Sequence, residues 1–179
     1  MVASNLYITI SCFFLFTSFS AWAIHCYGAE FWNKLEERRK EIQAEEKDEE
    51  DDDKEDAKPA TIEITDENRD GNPPTTNDVM YLKHKACVSI LEYQVSWAEA
   101  FGGITDAMGT WIYSLLTRIE KPLEPDVTSA IRTLAITISR QRASLIKEEN
   151  DLSLVTALSV LICIGTKYFG QEDLADLPK

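Results

Sequence analysis

Between Val79 and Phe169 large apolar residues return every three or four positions, and this pattern admits helices and little else. The first run sets Val79, Leu82, Ala86, Ile90, Tyr93, Trp97 and Phe101 on one stripe. Asn77 or Asp78 can cap its start, and Gly102-Gly103 ends it. A second run, Asp106 to Glu120, places Trp111, Leu115 and Ile119 on one side with Met108, Ile112 and Leu116 beside them. So wide an apolar face predicts burial against more than one neighbour. In the loop Lys121-Pro122-Leu123-Glu124-Pro125, Pro122 cannot continue the preceding helix and Pro125 suits the first turn of the next. That third helix, to about Lys147, repeats Val127, Ile131, Leu134, Ile138 and Leu145, with Arg132, Arg140 and Arg142 off the stripe. Asn150 or Asp151 caps a fourth, Leu152 to Phe169, which is apolar nearly all round and closed by Gly170. Nothing alternates with period two, so the expected fold class is all-α: a helical bundle of about four main helices in the C-terminal half.

Ahead of the bundle the chain changes character twice. Met1 to Ala23 is nearly uncharged, carries the apolar run Ile8 to Phe16, and ends in Ala21-Trp22-Ala23, the small-x-small pattern of a signal cleavage site. Against a leader stand the lack of Lys or Arg at its start and the odd number of cysteines that cleavage would leave. Ser and Thr interrupt the run, so a membrane span is disfavoured as well. Glu30 to Gln43 reads as a short helix with a weak apolar stripe at Phe31, Leu35 and Ile42. From Glu36 to Asp56 there are 13 acidic and 5 basic residues, and Lys58 to Asp78 adds Pro59, Gly71, Pro73 and Pro74, so this stretch is expected to be a disordered acidic linker. The expected organisation is 1–29 as a signal-like or alternative N-terminal segment, 30–78 as short helix and linker, and 79–179 as the partner-binding domain.

The residues also exclude chemistries. A net charge of −13 opposes direct nucleic-acid binding and favours a basic protein partner. Cys12, Cys26, Cys87 and Cys163 are far apart with no C-x-x-C spacing, so neither a metal site nor a redox pair is expected. His25 and His84 have no carboxylate or cysteine at triad or ligand spacing, and Gly102-Gly103 with Gly109 follow no strand and precede no Gly-Lys-Ser/Thr. The Glu148-Glu149 pair ends a helix and reads as solvated surface. No catalytic residue, cofactor or metal is expected. What remains is aromatic: Tyr93, Trp97, Trp111, Tyr113 and Tyr168 are the candidate partner-binding residues, as a groove between helices or its supporting wall.

Several of these segments resemble one family. Ser89-Ile90-Leu91-Glu92-Tyr93-Gln94-Val95-Ser96-Trp97 is similar to the S-x-L-E-Y-x-x-x-W segment of the Gem-associated protein two family. Trp111-Ile112-Tyr113-Ser114-Leu115-Leu116 with Glu120-Lys121-Pro122-Leu123-Glu124-Pro125 resembles its W-L-Y-x-L-L and E-K-P-L-x-P run. Ile131-Arg132-Thr133-Leu134-Ala135, Leu161-Ile162-Cys163 and Lys167 to Asp176 resemble its I-R-x-L-A, L-I-C and R-Y-F-x-Q-x-D-L-A-D. The resemblance implies a non-enzymatic helical scaffold of the survival-of-motor-neuron complex, in cytoplasm and nuclear gems. It would bind a short helix of the survival-of-motor-neuron protein and basic Sm proteins during assembly of spliceosomal small nuclear ribonucleoproteins, with room for self-association. Ahead of Trp32 nothing resembles the family's N-terminal arm, and the likeness is weak from there to Asp78, so the hold on Sm proteins is expected to suffer. The apolar start is expected to be an alternative or misjoined segment; the competing expectation is a secreted or luminal helical protein whose mature chain begins at Ile24.

Overall fold

The computed structural model describes residues 18–48, 71–147 and 152–174, and these form an all-α fold. The helices are α1 (Phe19–Tyr27), α2 (Ala29–Asp48), α3 (Thr76–Tyr81), α4 (His84–Phe101), α5 (Asp106–Leu116), α6 (Pro125–Lys147) and α7 (Leu152–Cys163), followed by a wide π-helical turn (Ile164–Tyr168) and a short 3-10 turn (Glu172–Leu174). Helix α4 packs on α2, α5 and α6, while α7 packs on α5 and α6.

The periodic stripes account for the interior. Ile90, Trp97 and Phe101 of α4, Met108, Trp111, Ile112 and Leu115 of α5, Ile131, Leu134 and Ile138 of α6, and Leu158, Leu161 and Ile162 of α7 are buried in one cluster. The same cluster takes in Trp22, Ala23, Cys26 and Tyr27 of α1 and Phe31 and Leu35 of α2. Where the sequence pattern set residues 1–29 and 30–78 apart from a unit over 79–179, the structure therefore packs an N-terminal helical hairpin into the core of that unit. Ala23, the expected cleavage position, is fully buried. The physical reason is aromatic: Phe31 meets Trp97 and Phe101 edge-on at 5.8 and 5.3 Å, and Tyr27 donates its hydroxyl to the buried Gln94 Oε1. Arg38, nearly buried on α2, donates from Nε to the Ala100 carbonyl at 3.2 Å, a cation on the C-terminal end of α4.

Boundaries differ from expectation in five places. Helix α2 runs to Asp48 rather than Gln43, so the first part of the expected disordered acidic stretch is helical; residues 49–70 lie outside the described residues. The single helix expected over Asn77 to Phe101 is two, because Leu82 and Lys83 are extended. Its cap is Thr75, which accepts from the Asp78 N–H while the Asp78 carboxylate accepts from the Thr75 N–H. Helix α5 ends at Leu116, and the last helix widens after Cys163, which turns Tyr168 outward and Phe169 inward.

Candidate functional site

The five aromatic candidates do not meet in one groove. Trp97 and Trp111 are 0% and 1% exposed and belong to the core. Trp111 donates its indole N–H to the Asn72 carbonyl at 3.0 Å and lies edge-on to Trp22. Tyr93 is half-buried, a wall residue against Phe19 at 5.0 Å and Trp97 at 6.3 Å. Tyr113 and Tyr168 are 49% and 54% exposed and sit apart. Tyr168 packs on Phe169 and carries the Lys121 ammonium 4.4 Å above its ring, near the pair of Arg132 with Asp173.

Of the five, Tyr113 lines the groove between α5 and α7. With Met108, Trp111, Ile112 and Leu115 turned inward, the opposite side of α5 presents Asp106, Gly109, Thr110 and Tyr113. Helix α7 supplies the other wall with Ser153, Leu154, Ala157, Leu158, Val160 and Leu161, and Ile104 lies at the base. The groove encloses about 510 Å³. Local chemistry fixes both walls. Thr105 caps α5 by accepting from the Met108 N–H. Gln141 of α6 clamps the preceding turn, accepting from Ile104 N–H at 2.9 Å and donating to its carbonyl at 2.7 Å. That side chain occupies the space above Gly103, where an added Cβ would lie 2.7 Å from Gln141 Cδ.

From Leu152 to Thr166 the chain carries no charged residue, although Leu152, Ser153, Thr156, Ala157, Val160 and Cys163 are exposed. An uncharged helix with one side in water is unusual for a surface helix, whose outer face is ordinarily polar or charged. Asp106 is the one charged residue among those lining the groove. The groove offers shape, apolar contact and one carboxylate. Among the described residues no three His, Cys, Asp or Glu side chains converge as metal ligands would. No described helix is long and apolar enough to cross a membrane.

Elsewhere, burial pushes the Cys26 thiol well above its ordinary range and the Cys87 thiol above it, so both behave as buried hydrophobes. Burial also lowers the pKa of His25, which lies edge-on to Trp22 and Trp111, while the nearby Asp78 carboxylate pulls the other way.

Sequence reasoning missed Gly109, Asp106, Ala157 and Val160 as groove residues. Small side chains give no periodic signal. The available clue is the uncharged run of α7.

A family profile for survival motor neuron (SMN) interacting protein 1 matches residues 17–172. It takes in the α1–α2 hairpin, so the family likeness begins well ahead of Trp32, where the motifs alone showed none. Gem-associated protein 2 of Xenopus laevis is 41% identical over 106 residues, 59% of this chain and 40% of that protein. The Mus musculus protein of the same name is 41% identical over 110 residues, 60% and 39% of the two chains. That of Dictyostelium discoideum is 33% identical over 107 residues, 60% and 31%. The matched region thus spans two fifths or less of each relative's own length.

Proposed function

The chain belongs to the survival motor neuron interacting protein 1 family, and from that premise we propose that it is a non-enzymatic scaffold of the survival motor neuron complex. In this reading it binds the survival motor neuron protein and Sm proteins during assembly of spliceosomal small nuclear ribonucleoproteins, in cytoplasm and nuclear gems. The observation that carries it is the groove between α5 and α7, bounded by an uncharged and half-exposed helix. Such a surface suits protein docking, and its lining includes no Lys or Arg to neutralise a phosphate backbone. The net charge of −13 agrees with basic partners of the Sm kind, for which charge complementarity speeds and orients the encounter.

The test is capture by the immobilised full chain of purified survival motor neuron protein and, separately, of Sm proteins. Both are expected to bind, the Sm proteins more weakly as salt is raised. Val160→Asp places a charge at an exposed position of the groove wall and is expected to weaken capture of the survival motor neuron protein about tenfold or more while leaving helicity unchanged. A well-folded chain that retains neither partner would sink the scaffold reading.

A further inference from the structure

Where the α1–α2 hairpin lies on α4, the seam is aromatic. Phe19, Tyr27, Phe31 and Tyr93 stand around the Trp97 ring with centroids 5.3, 5.8, 5.8 and 6.3 Å away. One turn earlier on α4 comes Gln94, as completely buried as Trp97 itself. The other buried residues nearby on this helix, Ile90, Leu91, Val95 and Ala98, are apolar. Methionine or leucine would fill such a position with no polar group to satisfy, so an amide there calls for a reason.

Part of the reason is Tyr27, which donates its hydroxyl to Gln94 Oε1 and so ties α1 to α4. That bond fixes the orientation of the amide and turns Nε2 the other way. Among the described residues neither Gln94 Nε2 nor the Trp97 indole Nε1 meets an acceptor. Two buried donors on adjacent turns thus need the same thing, and leaving either unanswered is costly. The surroundings restrict what can answer them. The α4 carbonyls are engaged in the helix's own ladder. A cation is repelled by donors, and an anion would have to leave water for an enclosure of rings. A small neutral molecule with two lone pairs is left, and water is the one that protein interiors hold for this purpose.

We propose that Gln94 and Trp97 hold one internal water molecule, which accepts the amide Nε2–H and the indole Nε1–H and is enclosed when Tyr27 packs over them. Both donors come from α4 and the lid comes from α1, so the water belongs to the joint between hairpin and bundle. Its own hydrogens face the surrounding rings, whose π faces are weak acceptors. The glutamine then has two tasks at one place: its oxygen receives the hairpin and its nitrogen holds the water. This site is independent of what occupies the groove between α5 and α7 and of the scaffold reading.

The experiment is water-selective NMR on the full chain, isotope-labelled, with the Trp97 indole and Gln94 side-chain amide signals assigned through bonds to their own backbones. Both groups are expected to show cross-peaks to the water resonance that invert between the NOE and ROE versions, the mark of a dipolar contact with a held water rather than of proton exchange. Absence of the cross-peak at either group in the unaltered chain overturns the proposal. Relay through the Tyr27 hydroxyl is tested with Tyr27→Phe, which keeps the ring: the cross-peaks are expected to persist, and their disappearance from a folded variant overturns the assignment to water. Gln94→Met keeps the length and removes the amide, and the indole cross-peak is expected to be lost while helicity by circular dichroism is unchanged. A folded Gln94→Met chain with the indole contact undiminished would show that the two donors do not share one water.

Discussion

An added Cβ at Gly71 would lie 2.2 Å from the Cys26 carbonyl oxygen and 2.4 Å from the Tyr27 Cα, so only glycine lets the chain cross the end of α1 here. One residue on, Asn72 donates to the His25 carbonyl from both its backbone N–H and its side chain, each at 3.0 Å, and accepts the Trp111 indole N–H. His25 itself is the titratable member of this junction. Its pKa is held below the ordinary imidazole value of about 6.5, so the unfolded chain takes up the proton at a higher pH than the folded one. Stability from the neutral ring is thus complete above about 6.5 and is lost as pH falls from there through the folded-state value. The thermal midpoint should drop between pH 7.5 and 5.5, and His25→Gln should flatten that slope; an unaltered slope in the variant would assign the pH dependence to other groups. At this scale the sequence was legible wherever periodicity speaks. Trp97 and Trp111 lie on their stripes and are core. Tyr113, two positions along from Trp111, falls on the opposite side of a helix with 3.6 residues per turn, and that is why it alone of the five lines the groove. Gly109 was not legible, since its signal is a side chain it lacks.

The elements show why boundaries were harder to place than helices. Val79 and Leu82 are both buried, so the apolar stripe runs unbroken across a helix break whose cause is backbone conformation. The hydrogen-bonding side chains carry the missing information: Thr75 and Asp78 form a reciprocal cap, so that α3 starts at Thr76 where Asn77 or Asp78 was the expected cap. Thr75→Ala should cost about 1 kcal/mol, measured by denaturant unfolding, with the loss confined to stability and no change in partner capture. Likewise the apolar run through Phe169 concealed the π-helical turn. There Phe169 N–H reaches back to the Ile164 carbonyl, and Thr166 caps its own turn by donating to the Ile162 carbonyl.

Across the whole molecule, the hairpin of α1 and α2 changes what counts as the folded unit. Trp22, Phe31 and Leu35 close over Trp97 and Trp111, and a chain lacking residues 1–48 would open those surfaces to water. Such a truncation should unfold, or melt far below the full chain with a broadened transition, as read by circular dichroism; a shortened chain with an unchanged midpoint would show the hairpin to be an ornament. The 79–179 pattern announces the bundle and Glu30 to Gln43 announces α2, but α1 is hidden because Ala21-Trp22-Ala23 also satisfies the cleavage pattern of a leader peptide; the apolar run Ile8 to Phe16 lies outside the described residues. Only packing against Trp97 distinguishes the two.

The junction at Gly71 and Asn72 has an evolutionary corollary. The described residues break off at Asp48 of α2 and resume at Gly71, next to Asn72, which is pinned to the end of α1. Between two fixed anchors, doubling the length of an intervening stretch costs only about 0.6 kcal/mol in closure entropy. Insertions or deletions in the sequence between Asp48 and Gly71 are therefore expected to shift the thermal midpoint of the bundle only slightly.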